Sequence, residues 1–356
     1  MAGRFESSAV EKVDDGWSEI EAMERASVKP KTIVRIEQAR SIISRNDSPD
    51  IRFDQSVNPY RGCEHGCIYC YARPSHSYVN LSPGIDFETQ LFAKRNAPEL
   101  LRKEISRRTY VPSAINFGAN TDPYQPIERE ERITRACLEV LLEANHPLTI
   151  VTKNALVLRD LDLLEQFAAK NLVTVFVSIS QLDNELTRIL EPRASAPANR
   201  LRALGELARA GVPTCVLVAP IIPFINDEYI ERVLEGARDA GTPAASYTII
   251  RLPYEIKDLF KDWLAQHFPD RAERVMARIR DMKHGRENVS AFGERMRGSG
   301  IYADLIRQRF RSTCARLGMR TGSLVDLDVS KFVAPVKRST TANEAGDATP
   351  RQANLF

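Results

Sequence analysis

The sequence predicts an α/β fold in which about six parallel strands alternate with helices, as in a barrel or part-barrel. Short β-branched runs recur along the middle of the chain, and each is followed by a longer segment with apolar residues three and four positions apart. Two of these segments end in a glycine with a proline two residues later, at Gly211 and Gly241, which is the pattern of a capped helix leading into a strand. Apolar strands separated by helices are typical of a parallel sheet with both faces covered. The periodicity alone leaves an open doubly wound sheet as the alternative.

The repeating pattern places the elements in order along the chain. The β-branched runs predict strands at residues 51–57, 114–118, 148–152, 174–179, 214–218 and 246–250. The amphipathic segments predict helices at residues 132–144, 157–170, 198–210 and 227–240. In a barrel of this kind, the chemistry is done by residues in the loops that follow the strands. Polar residues directly after a predicted strand are therefore the first candidates for a site.

The composition and the two chain ends indicate the class of protein and the extent of its folded part. Of the 356 residues, 43% are hydrophobic and 27% are charged, which is the composition of a globular protein. The net charge of +3 does not by itself indicate an acidic or nucleic-acid partner. Because both ends are polar, we expect a flexible extension over residues 1–45, with a helical stretch at 33–44, and a disordered tail over 334–356. No segment is as apolar as a signal peptide or a membrane span, so we expect a cytoplasmic protein with reduced thiols and no membrane partner.

Three of the six cysteines lie within eight residues, at Cys63, Cys67 and Cys70. Gly62 and Gly66 allow the backbone to fold tightly there, so that the three thiols converge on one metal centre. The other cysteines are isolated in predicted helices or strands, where a small buried hydrophobic residue is the simpler interpretation; they are Cys137, Cys215 and Cys314.

The number of thiols bears on the kind of metal centre. A structural zinc site needs four protein ligands, usually as two pairs, and the fourth here would be His65 or His76 without a second pair. An iron–sulfur cluster held only by protein needs four thiolates. Three cysteines favour a four-iron cluster with one iron left open. A zinc-stabilised interaction module without enzyme activity is the alternative.

The spacing Cys63-x3-Cys67-x2-Cys70, with Tyr69 before the last cysteine, resembles the signature of the radical S-adenosylmethionine (SAM) superfamily. The resemblance extends over residues 50–255 and implies that the three cysteines hold a [4Fe-4S] cluster whose open iron binds S-adenosylmethionine. One-electron reduction then yields a 5'-deoxyadenosyl radical. The resemblance also implies a partial TIM-type (β/α)6 barrel at 46–255, a helical basic C-terminal extension at 256–333, and a flavodoxin- or ferredoxin-type reductant as partner.

Two further segments, NPYRGC at 58–63 and NTDPYQP at 120–126, are similar to a bacterial subfamily related to spore photoproduct lyase. This similarity implies a lyase or another radical enzyme that acts on DNA or RNA, in repair or modification. Spore photoproduct lyase returns hydrogen through a downstream cysteine and tyrosine, and none of the three isolated cysteines lies in a recognisable motif. A radical enzyme that acts on a peptide or a small metabolite is the alternative.

The resemblance implies cofactor contacts after the predicted strands. They are Asn120 and Asp122 for the methionyl amino group, Ser178 and Ser180 for the ribose hydroxyls, Glu191 and Arg193 near the methionine carboxylate, and Ile222 and Tyr69 for adenine. Structural alternatives are a turn or helix cap at 120–123, a surface ion pair of Glu191 with Arg193, and core packing of Ile222. Lys153 and Arg251 end two further strands and would position an anionic substrate, or else face solvent.

Residues 271–320 form a basic window, with 13 Lys and Arg against 5 Asp and Glu. Such a window would follow a phosphate backbone, with Phe292, Tyr302 and Phe310 as stacking surfaces. The alternative is a solvated helical face with the aromatic residues in the core.

The last five residues are similar to the peptide by which bacterial repair and replication proteins dock on the sliding clamp. Gln352 offers an amide, and Leu355 and Phe356 offer two apolar anchors to a groove. The polar residues before them would act as a tether.

Overall fold

Six strands that are neighbours in one sheet form the centre of the fold and run parallel to one another. The computed structural model describes residues 31–51, 53–322 and 326–335. In sheet order the six strands are β3 (Gln55–Val57), β6 (Ile115–Phe117), β7 (Leu148–Thr152), β8 (Val173–Ser178), β9 (Thr214–Ile221) and β10 (Ala244–Ile249). At the two edges, β2 (Ile43–Arg45) pairs antiparallel with β3, and β11 (Arg320–Thr321) pairs parallel with β10. No pairing joins β2 to β11 within the described residues, so the sheet is open.

The order of the strands is that of a part-barrel. From β7 to β10 every strand lies next to the strand that precedes it in the chain, whereas the strand order of a doubly wound sheet reverses at a switch point. The predicted α/β fold with a parallel sheet is confirmed, and each of the six predicted strands is present within a few residues of its expected bounds.

Helices connect the strands and cover one face of the sheet. In the described part of the chain they are α1 (Asp86–Thr89), α2 (Ala97–Ile105), α3 (Glu128–Glu131), α4 (Ile133–Glu143), α5 (Leu161–Ala168), α6 (Asn184–Leu190), α7 (Pro197–Arg209), α8 (Ile230–Asp239), α9 (Ile256–His267), α10 (Ala272–Asp281) and α11 (Gly300–Arg316). Short 3-10 turns occur at Arg73–Val79, Ala155–Asp160, Asp227–Tyr229 and Val329–Lys331. The four predicted helices are confirmed as α4, α5, α7 and α8. Side-chain caps begin some of the helical segments: Asn154 accepts a hydrogen bond from the Leu156 N–H at 2.9 Å, and Asp183 accepts one from the Leu186 N–H at 2.7 Å.

The two faces of the sheet differ in exposure. On β8, Val173, Val175 and Val177 are fully buried in the main core that the helices share. Phe176, on the opposite face, is only half-buried. Half-buried residues also alternate with buried ones along β7, β9 and β10. The inner face of the part-barrel is therefore partly accessible, whereas the face under the helices is not.

The N-terminal segment differs from its prediction. The helix expected at 33–44 is wrong, because this segment forms β1 (Ile33–Ile36) and then β2. β1 pairs with β5 (Gln90–Ala93), which also pairs with β4 (Tyr60–Arg61) in a separate three-stranded sheet. Three of the four residues of β1 are β-branched and favour a strand. The other predicted domain bounds stay predictions.

The C-terminal extension contributes a loop at the carboxyl ends of the strands. We call residues 286–299 the mouth loop. Its Met296 carbonyl accepts a hydrogen bond from the Ile249 N–H, at the end of β10, at 2.8 Å. Its Arg295 pairs with Asp50, which lies between β2 and β3. Because β3 and β10 lie near opposite edges of the sheet, the mouth loop bridges the open side of the part-barrel.

The last described segment lies at the other end of the strands. The Asp328 N–H donates to the Asn171 carbonyl at 3.1 Å, and the Val333 N–H donates to the Ala144 carbonyl at 2.9 Å. Both carbonyls precede the first residue of a strand. The clamp-docking residues at 352–356 lie outside the described residues, so their role stays a prediction. None of the helices in the described ranges is apolar and long enough to cross a membrane.

Candidate functional site

A tight loop carries the three cysteines after β3 and β4, and we call residues 62–72 the cysteine loop. The backbone is left-handed at Gly62 and Gly66, with φ of +79° and +66°. A β-carbon at Gly66 would lie 2.2 Å from the Glu88 carboxylate, and one at Gly62 would lie 2.6 Å from the Leu91 side chain. Glycine is therefore required at both positions for the loop to fold this closely.

Arg73 stabilises the cysteine loop from within the core. Its fully buried guanidinium donates hydrogen bonds to the carbonyls of Gly66 and Cys67, each at 2.9 Å. It also forms an ion pair with Glu88 at 2.9 Å, and Glu88 in turn pairs with Arg193 at 3.1 Å. A planar group with five donors can satisfy several acceptors at once, so one side chain fixes both the loop backbone and its charged neighbour.

The three thiols are free and lie close enough to influence one another. Cys63 and Cys67 are buried, and Cys70 is half-buried. Burial raises the pKa of the Cys63 thiol, and Asp122, Cys67 and Cys70 raise it further. Burial also raises the pKa of Cys67, to about 12. Thiolates at these positions therefore need a positively charged partner, and an iron–sulfur cluster supplies one.

The two histidines considered as zinc ligands are engaged elsewhere. His65 Nδ1 lies 3.3 Å from the Asp122 carboxylate, and its Nε2 lies 3.2 Å from the Asn154 amide. His76 Nε2 lies 2.9 Å from the Gln90 carbonyl oxygen. Across residues 31–51, 53–322 and 326–335, no three His, Cys, Asp or Glu side chains are placed to hold a single metal ion. The donor set of three thiols fits a four-iron cluster with one open iron better than it fits structural zinc.

Glu191 is the centre of a buried group of charges beside the cysteine loop. Its carboxylate pairs with Arg200 at 2.5 Å and with Lys153 at 3.0 Å, and accepts a hydrogen bond from the Tyr69 hydroxyl. Burial favours the protonated form of Glu191, but Arg200 and Lys153 outweigh it and hold the pKa at about 2. Since Tyr69 belongs to the cysteine loop and Lys153 follows β7, Glu191 connects the loop to the strand ends.

Lys153 reaches across three neighbouring strands. Its ammonium donates to the Ser178 hydroxyl at 2.7 Å and to the Ala219 carbonyl at 3.2 Å. Ser178 ends β8 and donates to the same carbonyl at 3.0 Å. The ammonium also lies 5.6 Å from the centre of the Tyr69 ring. A half-buried cation thus lies at the carboxyl ends of β7, β8 and β9, next to the cysteine loop.

Asp122 and Asn120 lie on the loop after β6 and have different surroundings. The Asp122 carboxylate accepts hydrogen bonds from the Thr152 hydroxyl and the Lys153 N–H, both at 2.7 Å. Burial raises the pKa of Asp122, but His65 and the hydrogen bonds lower it more, so the net shift is downward. Asn120 is exposed at the same end of the sheet. Asp122 therefore holds two strand ends together, while the side chain of Asn120 is accessible to a ligand.

Ser180, Arg193 and Ile222 are also near the carboxyl ends of the strands. Ser180 and Ile222 are buried, the latter within the main core. Arg193 pairs with Glu88 at 3.1 Å and not with Glu191. The surface ion pair considered for Glu191 and Arg193 is therefore wrong, because both groups are buried with other partners.

The basic window is partly neutralised within the fold. Six of its arginines pair with carboxylates: Arg278 with Asp281, Arg280 with Glu273, Arg295 with Asp50, Arg307 with Asp304, Arg309 with Glu231 and Arg316 with Glu235. Phe310 is buried against Tyr247, so its prediction as a stacking surface is wrong. Tyr302 is half-buried, whereas Phe292 in the mouth loop is exposed. An accessible ring remains at the mouth loop.

Arg73, Glu88 and Arg200 contribute to the site but have no signal in the sequence. Arg200 lies in α7, an amphipathic helix in which arginine ordinarily faces solvent. Glu88 lies in α1, far along the chain from Arg193. Their roles depend on partners that only the tertiary fold brings together.

Comparisons with known proteins agree with this geometry. A family model of the Radical SAM superfamily matches residues 57–237. An uncharacterized protein of Mycobacterium tuberculosis is 35% identical over 224 residues, which are 62% of this chain and 66% of that protein, just under two thirds of its length. A protein of Pseudomonas phage M6 named radical SAM Nalpha-GlyT isomerase is 22% identical over 253 residues, which are 69% of this chain and 50% of that protein.

A solved structure shares the fold. A mutant spore photoproduct lyase with bound AdoMet and dinucleoside spore photoproduct has a TM-score of 0.57 and 16% identity, over 82% of each chain. At this identity the similarity concerns the fold alone. The similar region includes most of the chain and therefore extends beyond residues 57–237.

Proposed function

Because residues 57–237 match the superfamily model, the chain belongs to the radical SAM superfamily, and we propose that it is an enzyme that cleaves S-adenosylmethionine reductively and acts on nucleic acid. The cofactors of this superfamily are a [4Fe-4S] cluster and S-adenosylmethionine. When bound and reduced, they supply a 5'-deoxyadenosyl radical that abstracts hydrogen from a substrate. The observation that carries the proposal is the cysteine loop with its three thiols, placed beside Lys153 at the open end of a part-barrel.

Superfamily members need a one-electron reductant, and we propose a flavodoxin- or ferredoxin-type partner. Cys63, Cys67 and Cys70 would hold the cluster. The half-buried Cys70 and the exposed Tyr71 are the part of the loop that a reductant or substrate can approach. The accessible inner face of the part-barrel would enclose the bound groups and exclude water from them.

The residues predicted to contact the cofactor fall into an accessible group and a buried group. Lys153 with Ser178 supports binding of the methionine carboxylate and the ribose, since both side chains lie at the strand ends beside Tyr69. The exposed Asn120 is available for the methionyl amino group. Tyr69 is held by Glu191 and would lie against adenine.

The predicted site residues whose side chains are buried act indirectly in this proposal. Glu191, Asp122 and Arg193 are positioning residues in this proposal, because their charged groups are paired with protein partners and are more deeply buried than the Lys153 ammonium. Ser180 and Ile222 would contribute through backbone atoms and packing, since their side chains are buried.

Replacing Lys153 with methionine is expected to weaken S-adenosylmethionine binding roughly 10- to 100-fold, because a charged hydrogen bond is worth about 1.5–3 kcal/mol. Isothermal titration of the cluster-loaded protein measures the change. Glu191 keeps Arg200 as its partner in this variant, so the fold should persist. Lys103→Met is the matched control, since Lys103 is exposed on α2. Equal affinity in wild type and Lys153→Met would contradict the assignment.

Nucleic acid is proposed as substrate because the fold matches a lyase structure with a bound dinucleoside photoproduct and because Phe292 and Tyr71 expose rings near arginines. The test compares the rate of 5'-deoxyadenosine formation with ultraviolet-irradiated DNA, intact DNA, RNA and a peptide mixture. We expect a nucleic-acid sample to raise the rate above the substrate-free value. A rise with peptides alone would favour the peptide alternative.

A further inference from the structure

Arg251 is a cation at the mouth of the part-barrel that has no carboxylate within ion-pair distance among the described residues, although Asp50 is near enough to raise its pKa. It follows the end of β10 by two residues and is half-buried. Within the described residues it forms no ion pair, and its buried Nε–H has no hydrogen-bond acceptor. Its guanidinium instead lies 5.6 Å from the centre of the ring of Tyr71, the residue after Cys70. An unpartnered guanidinium donor in such a place costs free energy unless a ligand accepts from it.

Two further cations lie behind Arg251. The Lys283 ammonium is almost fully buried and donates to the Arg295 carbonyl at 2.9 Å, which anchors the mouth loop. Burial lowers the pKa of Lys283 to about 8, with a further contribution from the charge of Arg251. Burial also lowers the pKa of Arg251, and Arg295 contributes to that shift. Arg251 therefore lies near enough to both Lys283 and Arg295 for like charges to repel.

The nearby carboxylates are already engaged. Asp50 accepts hydrogen bonds from the Arg295 side chain and, at 2.6 Å, from the Gly293 N–H. The Glu294 carboxylate lies 3.0 Å from His284. The mouth therefore retains an excess of positive charge beside the cysteine loop.

Exposed aromatic rings lie next to Arg251 and Arg295. Tyr71, beside Arg251, is 48% exposed, and Phe292, beside Arg295, is 57% exposed. The Tyr71 ring is held in place because its hydroxyl donates to the Ala119 carbonyl. Arg295 lies 4.7 Å from the centre of the Phe292 ring. Rings next to cations are the surface that single-stranded nucleic acid uses, with bases on the rings and phosphates on the cations.

We propose that Arg251 binds a phosphodiester group of a single-stranded nucleic-acid segment at the mouth, with Lys283 and Arg295 adding charge behind it and Tyr71 stacking on a base. This site deepens the proposed function, since it rests on nucleic acid being the substrate. A guanidinium fork matches two phosphate oxygens, which a single ammonium does less well. The base on Tyr71 would lie directly beside the cysteine loop, where the radical is generated.

Replacing Arg251 with glutamine tests the site. The probe is a short fluorescein-labelled oligothymidylate, and the readout is fluorescence anisotropy of the cluster-loaded full chain over a series of salt concentrations. We expect Arg251→Gln to weaken binding roughly 10-fold or more. The slope of log affinity against log salt should fall by about 0.7, because one phosphate contact to a single strand is lost. Arg251→Lys should restore the slope but not the full affinity.

Arg311→Gln is the matched control, because it removes the same charge from an exposed position on α11 where the described residues offer no ion-pair partner. Its affinity should stay within about twofold of wild type. An oligothymidylate with neutral methylphosphonate linkages should bind wild type weakly and be insensitive to Arg251→Gln. Equal losses in Arg251→Gln and Arg311→Gln would overturn the proposal, as would an acidic peptide binding in an Arg251-dependent manner while the oligonucleotide does not. Thermal unfolding of each variant confirms that it is folded.

Failure of the phosphodiester site can be distinguished from failure of the proposed radical chemistry. If wild type forms 5'-deoxyadenosine but binds no oligonucleotide, the phosphodiester site is wrong and the radical chemistry stands. If Arg251-dependent oligonucleotide binding occurs without 5'-deoxyadenosine formation, the site stands and the radical chemistry is wrong.

Discussion

Replacing Cys67 with alanine is expected to remove nearly all iron and acid-labile sulfide from protein purified and reconstituted without oxygen. The three buried or half-buried thiols are the ligand set, and two remaining thiolates cannot hold a four-iron cluster that already has one open iron. Iron and sulfide assays with the charge-transfer absorbance measure the loss. The expected effect is close to all-or-none because cluster assembly depends on each ligand.

Cys137→Ala is the matched control for this experiment. Cys137 is fully buried in α4, in the main core and away from the cysteine loop. Its replacement should cost about 1 kcal/mol of stability through a small cavity and leave the iron content unchanged. Equal iron in Cys67→Ala and Cys137→Ala would contradict the ligand assignment.

Replacing Glu191 with glutamine is expected to lower the free energy of unfolding by about 3–5 kcal/mol. The change leaves the buried Arg200 and the half-buried Lys153 without their shared carboxylate. Chemical denaturation monitored by circular dichroism measures the difference. Glu206→Gln is the control, because its pair with Arg202 is largely exposed on one face of α7 and should contribute less than about 0.5 kcal/mol. A change in Glu191→Gln as small as in Glu206→Gln would contradict the central role of Glu191.

The contribution of Glu191 should also depend on pH. Its pKa is about 2 in the folded chain against an ordinary value of 4.5, so the unfolded chain takes up a proton at higher pH than the folded chain does. The stabilisation is therefore present above pH 4.5 and is lost as pH falls toward 2. The stability difference between wild type and Glu191→Gln should shrink over that window. A difference that stays constant there would show that the ion pairs do not carry the effect.

Local sequence patterns were sufficient to predict the central strands and the helices between them. Most central strands are short runs rich in apolar and β-branched residues, and the longer helices repeat apolar residues on one face, so both are visible in a short window of sequence. The cysteine loop is equally local, since its three ligands and two glycines lie within nine residues. Its position after β3 then placed it at the carboxyl ends of the strands.

The connections between distant segments could not be predicted in this way. Lys153, Glu191 and Arg200 meet because β7, a loop and α7 converge in space, and no periodicity records that convergence. For the same reason, the contact of Arg295 with Asp50 across the open side of the sheet could not be predicted from the sequence. The stretch at 33–44 was misassigned because its β-branched residues pair with β5 and β3, which is also a tertiary effect.

The central claim is that this chain cleaves S-adenosylmethionine by reduction at a cluster held by the cysteine loop. The most direct measurement is the amount of 5'-deoxyadenosine formed when anaerobic protein is incubated with S-adenosylmethionine and a strong one-electron reductant. We predict 5'-deoxyadenosine with the wild-type protein and none above background with Cys67→Ala. A wild-type protein that contains stoichiometric zinc, no sulfide and forms no 5'-deoxyadenosine would contradict the account and favour a zinc-stabilised module.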